Sequence, residues 1–111
     1  MQQVTPELIA QMAAAIVREV DPEAVVLFGS HARGQAGPDS DVDLLVVEAE
    51  PFGPARDRRQ EMVRLWQALA HLAVAKDILV YSREEVERWR HARNHVIARA
   101  MREGRVLYGR P

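Results

Sequence analysis

Ser40-Asp41-Val42-Asp43-Leu44-Leu45-Val46-Val47 puts two acids at the head of a run whose last four positions carry no polar side chain. A short, continuous apolar run of this kind suits a buried strand. Asp41 and Asp43 stand two apart, and side chains at i and i+2 of a strand point to the same face. Two adjacent, unpaired carboxylates on a buried strand are expensive. A bound cation removes that cost, and hard oxygen ligands are what Mg²⁺ prefers.

Upstream, Ala24-Val25-Val26-Leu27-Phe28 is a second apolar run and a second strand. Gly29 through Ser40 holds three glycines and a proline, which predicts a loop with one helical turn inside. Before the first strand, Thr5-Pro6-Glu7 reads as N-cap, N1 proline and first-turn acid. Leu8, Ile9, Met12, Ile16, Val17 and Val20 then recur at helical spacing, giving a helix over about 6–20 that Asp21-Pro22 ends.

Downstream, Pro51-Phe52-Gly53-Pro54 is a break. Met62, Leu65, Trp66, Leu69 and Leu72 mark an amphipathic helix over about 55–73, and Ile78-Leu79-Val80-Tyr81 a third strand. Ser82 with Glu85 forms a capping box. Val86, Trp89, Val96, Ile97, Ala100 and Met101 line a helix or a broken helix pair, with Gly104 as its C′ residue and Val106-Leu107-Tyr108 as a last extended piece. The order α-β-loop-β-α-β-α predicts an α/β domain, a sheet with helices packed on it.

A third acid, Asp77, opens the strand 78–81. A strand, a helix and a strand of one sheet normally make a right-handed crossover with the strands parallel. Two parallel strands that each begin with an acid bring Asp41, Asp43 and Asp77 to one edge. Three carboxylates there can hold two divalent ions about 3.5–4 Å apart, clamping the entering and leaving oxygens of an in-line phosphoryl displacement. Gly29-Ser30 supplies the other half. A glycine at the end of the first strand lets backbone N–H groups approach phosphate oxygens, and Ser30 adds a hydroxyl.

Composition sets the frame. A chain of 111 residues predicts one domain, residues 1–111, able to bury about two-thirds of its unfolded surface. There are no cysteines, which excludes disulfides and thiolate metal sites. No apolar run approaches the ~20 residues that cross a bilayer, and no secretory signal is readable. A cytoplasmic protein without membrane contact is expected. Residues 1–55 hold 2 basic and 9 acidic side chains, and residues 56–111 hold 13 and 7. An acidic half beside a basic one suggests a cation-holding site and a surface that meets anions. Solvated helix faces explain Arg56, Arg58, Arg59 and Arg64 equally well.

Other motifs fail. Gly29-x₄-Gly34 has P-loop glycine spacing, but Gln35-Ala36 stands where Lys and Ser/Thr are required. Asp39, Asp41, Asp43 and Glu50 match EF-hand positions, but Leu44 replaces the needed glycine. His91 and His95 are four apart on a helix without a completing ligand. His31 and His71 read as structural or exposed. Trp66 and Trp89 read as core or partner interface.

Gly29-Ser30-x-Ala32-Arg33-Gly34, five residues, Ser40-Asp41-x-Asp43-Leu44 and the later Asp77 together resemble the DNA polymerase β-type nucleotidyltransferase superfamily. The short length resembles its minimal nucleotidyltransferases, partners of HEPN-domain toxins. The resemblance implies the nucleotidyltransferase fold, a small mixed sheet with helices on it. It implies that Asp41 and Asp43 bind two Mg²⁺ ions and that Asp77 binds the catalytic one and helps deprotonate the acceptor. Gly29 and Ser30 would hold the β- and γ-phosphates of ATP or another NTP, with Arg33 beside them. The implied activity is transfer of NMP, AMP above all, to a hydroxyl, typically a tyrosine of a cognate HEPN-type toxin, in a homo- or hetero-oligomer. The alternative is a catalytically silent antitoxin that binds nucleotide or partner and neutralises by occlusion. A tRNA partner has no support, since no basic-aromatic platform is readable.

Overall fold

The computed structural model describes residues 3–111. Helix α1 (Pro6–Val20) begins where the Thr5 hydroxyl accepts from Leu8 N at 3.1 Å and stops at Asp21, whose φ of 47° is left-handed. Strand β1 (Ala24–Phe28) is buried throughout, and one turn of helix, α2 (Ser30–Arg33), follows it directly. Then come β2 (Val42–Glu48), α3 (Arg58–Leu69), β3 (Lys76–Ser82), α4 (Arg83–Trp89), α5 (Val96–Glu103) and β4 (Arg105–Gly109).

The four strands lie in the order β3-β2-β1-β4. β2 and β3 are parallel; β1 is antiparallel to both β2 and β4. The sheet is therefore mixed, with the crossover through α3 that its length demands. Alternation sorts the side chains into two layers. Val25, Leu27, Leu44, Val46, Ile78 and Val80 pack against Leu8, Met12 and Ile16 of α1 and Leu65 and Leu69 of α3. Val26, Phe28, Leu45 and Val47 pack on the other side against Val86 of α4 and Ile97 and Ala100 of α5.

Some elements differ from the sequence expectation. α3 is shorter than 55–73 because Gly53 and Arg56 pair with each other and Asp57 caps the helix, accepting from Arg59 N at 2.9 Å. β3 is longer than 78–81 and takes in Asp77. The last helix is a broken pair. His91 falls in the gap and His95 caps α5, its Nδ1 accepting from Ile97 N at 3.1 Å, so the two histidines share no helix face. Gly104 ends α5 in an extended conformation, φ −78°, not a left-handed one. A side chain there would meet the Ala100 carbonyl at 2.3 Å and Val26 at 2.5 Å, so close packing on β1 requires the glycine. The Ser82–Glu85 capping box is present in both halves. No helix among the described residues is long and apolar enough to cross a membrane.

Candidate functional site

β1 ends where β2 begins, because the two are antiparallel, and β3 begins there too, because it is parallel to β2. The register makes this concrete: Phe28 faces Asp43 across one interface, and Asp43 faces Asp77 across the other. Asp43 shares its face of β2 with Leu45 and Val47, and Asp77 its face of β3 with Leu79 and Tyr81. Both acids thus project on the side covered by α4 and α5.

Asp43 is half-buried, while Asp77 and Asp41 are exposed. Burial raises the Asp43 pKa above the ordinary carboxylate value, and the charges of Asp77 and then Asp41 push it further up. His31 and Arg33 pull it down. Asp43 therefore feels both other acids, as a carboxylate near like charges does. Among the described residues, however, no three acidic or histidine side chains form a ready-made metal cage. Asp43 and Asp77 form the paired core, and Asp41, one residue before β2, stands outside it.

Gly29 occupies the corner between β1 and α2 with φ 74° and ψ −158°, a conformation other residues rarely adopt. A Cβ built there would lie 2.1 Å from Asp43 Oδ2. A side chain there would strain the backbone and push the Asp43 carboxylate aside. The glycine is dictated from within the protein, by the approach of an acid, as well as by anything that docks from outside. Ser30 opens α2 beside it.

Arg33 ends that turn of helix. Its Nη1 donates to Glu103 Oε2 and its Nε to Gln35 Oε1, both at 3.1 Å. His31, which the sequence left as structural or exposed, donates from Nε2 to the Ser40 carbonyl at 3.2 Å and ties α2 to the loop leading into β2. Ser40 closes that loop, its hydroxyl accepting from Gly37 N at 2.9 Å.

A cavity of about 420 Å³ opens over these groups. Its walls include Gly29, Ser30, Arg33, Asp43, Asp77 and Arg99. All six sequence-derived candidates except Asp41 thus border one space or its floor. Arg99 was missed, because nothing in the sequence tells that α5 lies over the ends of β1–β3. A larger cavity, about 590 Å³, is lined by the 36–40 loop with Val4, His31, Val74 and Ala75 and by none of the six candidates.

The donor set suits a hard divalent cation: carboxylate oxygens only, with like charges that a cation would relieve. Elsewhere the arginines of the second half are not merely solvated. Arg56 pairs with Glu48, and Arg58 binds Glu85 and the Val80 carbonyl while lying over Tyr81. Trp66 and Trp89 are each 39% exposed, the latter stacked on His95 with ring centroids 4.8 Å apart.

The family model described as the nucleotidyltransferase domain matches residues 9–107. No curated protein matches the chain in sequence. Among solved structures, a Sulfolobus solfataricus protein described as a nucleotidyltransferase is 19% identical over 94% of this chain and 79% of its own, with a TM-score of 0.65. A chain of a toxin–antitoxin complex with AMP-PNP is 21% identical over 91% of this chain and 73% of its own, TM-score 0.57. A chain of the complex of tri-AMPylated Shewanella oneidensis HEPN toxin with MNT antitoxin is 19% identical over 96% and 74%, TM-score 0.54. At these identities the likeness is one of fold. The family match spans every acid, the glycine corner and both arginines of the cavity, and by it the chain belongs to the nucleotidyltransferase domain family.

Proposed function

We propose that this protein transfers AMP from ATP to a hydroxyl group of a partner protein, a tyrosine of a HEPN-type toxin, and so acts as the antitoxin of the pair. The observation that carries the reading is the Asp43–Asp77 register pair set against a corner that only glycine can occupy. Sequestering two like charges at a strand edge destabilises the free protein, and such an arrangement is common at functional sites. The similar fold in complexes described as toxin–antitoxin assemblies, one with AMP-PNP and one with an AMPylated HEPN toxin, supports the partner and the nucleotide.

In this reading Asp41, Asp43 and Asp77 hold two Mg²⁺ ions. When bound, these ions neutralise phosphate charge and polarise the reacting oxygens. The chain's own groups do the rest. Gly29 and Ser30 receive the β- and γ-phosphates, with Arg33 as a neighbour. Asp77 accepts the proton of the acceptor hydroxyl. The acceptor oxygen then bonds to the α-phosphorus, the bond from that phosphorus to the bridging oxygen breaks, and pyrophosphate leaves with the electron pair. The docked partner brings its hydroxyl to within about 3–3.5 Å of the phosphorus.

The test is to incubate the protein with labelled ATP, Mg²⁺ and the product of its neighbouring gene, then locate label and added mass by mass spectrometry. One AMP or more on a tyrosine of that partner, with its activity blocked, is the expected result. A tight complex with no adduct, neutralising as well after Asp41→Asn, would establish a binding antitoxin instead.

A further inference from the structure

Two guanidinium groups face the cavity above Asp43 and Asp77, and they are in different states. Arg33 is held by Glu103 and Gln35, each at 3.1 Å. Arg99 is exposed, and among the described residues its side chain makes no ion pair or hydrogen bond. It stands four residues before Glu103 on α5, so the two side chains lie on one side of that helix. Val96, one turn earlier, also borders the cavity.

A nucleoside triphosphate is strongly anionic, and the cavity floor is made of carboxylates. Divalent ions offset the floor, but the outer phosphates need a cation on the opposite wall. Arginine is suited to this, since its planar fork donates two parallel hydrogen bonds to phosphate oxygens. Arg33 already spends Nη1 and Nε on Glu103 and Gln35, so turning its full fork to a phosphate means giving up those partners. Arg99 has no such partner to lose.

We propose that Arg99 is the principal side-chain cation for the β- and γ-phosphates, reaching them from α5, while Glu103 keeps Arg33 in a supporting position. This inference rests on the nucleotide reading above. It also gives α5 a function besides covering the sheet: the helix closes the cavity from above and provides its anion-binding wall.

Calorimetric titration with Mg²⁺ plus AMP-PNP, and separately with Mg²⁺ plus AMP, separates the possibilities. Arg99→Gln should weaken AMP-PNP binding about tenfold or more, the scale of a charge-assisted hydrogen bond, and change AMP binding little. Arg99→Lys should recover part of the loss. Arg102→Gln, an exposed arginine of the same helix outside the cavity, should leave both ligands unaffected. In partner labelling, Arg99→Gln should raise KM for ATP more than it lowers kcat. Circular dichroism of Arg99→Gln should match wild type. Unchanged AMP-PNP binding in Arg99→Gln would overturn the assignment, as would equal losses for AMP and AMP-PNP or for Arg99→Gln and Arg102→Gln. Wild-type protein that binds no Mg²⁺–AMP-PNP would overturn the nucleotide reading itself, a result distinct from any of these.

Discussion

β2 carries a carboxylate out of free solvent at each end, Asp43 at its start and Glu48 at its finish, and the protein treats them differently. Glu48 is 3% exposed, and the chain itself supplies its partner. Arg56 Nη2 lies 2.5 Å from its Oε1 and 3.3 Å from Glu61 Oε2, and the guanidinium itself is fixed over the Phe52 ring at 4.3 Å. Burial, with help from Glu61, pushes the Glu48 pKa up to about 8. Among the described residues its buried Oε2 has no hydrogen-bond partner, which penalises the ionised form. Asp43 has no arginine in hydrogen-bond contact; its neighbours across the sheet edge are acids and a glycine corner. A charge neutralised internally is part of the scaffold. A charge left among like charges at an open edge is suited to something from outside.

The largest effect expected from breaking this asymmetry is on chemistry. Asp43→Asn should reduce AMP transfer by at least about 10²–10³-fold, the scale for one preorganised electrostatic group. Its apo melting temperature should hold or rise, because an amide removes repulsion with Asp77 and Asp41. Stabilisation by Mg²⁺ and ATP should vanish with it. Asp77→Asn should lower turnover while AMP-PNP affinity stays near normal, since its proposed role falls mainly in the transition state. Binding lost as fully as in Asp43→Asn would make Asp77 a ligand of the ground state.

Next in size is Arg56→Gln at the other end. Removing one partner of a buried pair costs up to about 3–5 kcal/mol when the remaining group is ionised. Denaturant unfolding of this variant should show that loss above pH 8 and much less at pH 6, where Glu48 retains its proton. A pH-independent loss would mean that Arg56 acts through packing on Phe52 alone.

Gly29→Ala comes third. The positive φ and the 2.1 Å clash with Asp43 Oδ2 should destabilise the fold by about 1–3 kcal/mol and displace the carboxylate. Transfer should fall with it, even where the variant remains folded by circular dichroism. An active, equally stable Gly29→Ala would show that the corner is not fixed by Asp43.

The smallest effect is the pH slope of stability. A carboxyl whose folded pKa is raised binds its proton longer in the native state than in the unfolded one. Its contribution is complete below the unfolded value of 4.5 and is lost as pH rises through about 8. Stability of the wild type should therefore decline over that window, and Glu48→Gln should flatten the decline. Asp43, whose pKa is also raised, adds a slope of the same sign.

The strands and the acid motif were legible because their cause is local. A run such as Leu44-Leu45-Val46-Val47 has no other place to go than a sheet interior, and a two-residue acid spacing means one face in any strand. The parallel pairing of β2 and β3 followed from the helix between them, which brought Asp77 beside Asp43. What the sequence hid depends on partners far along the chain. Gly104 reads as an ordinary helix terminator but is required by Val26 and the Ala100 carbonyl. Arg56 and Arg58 read as solvated charge because their acids, Glu48 and Glu85, lie 8 and 27 residues away. His91 and His95 shared a helical spacing only until the chain broke between them. Arg99 looks like any exposed arginine until α5 is laid over the site.

The most direct measurement sets the two ends of β2 against each other in one assay: pyrophosphate release from ATP with Mg²⁺ and the partner protein, for wild type, Asp43→Asn and Glu48→Gln, each shown folded at the assay pH. Release near the wild-type rate in Glu48→Gln and at background in Asp43→Asn is the predicted result. Wild-type release from folded Asp43→Asn would contradict the assignment of that edge as the catalytic one.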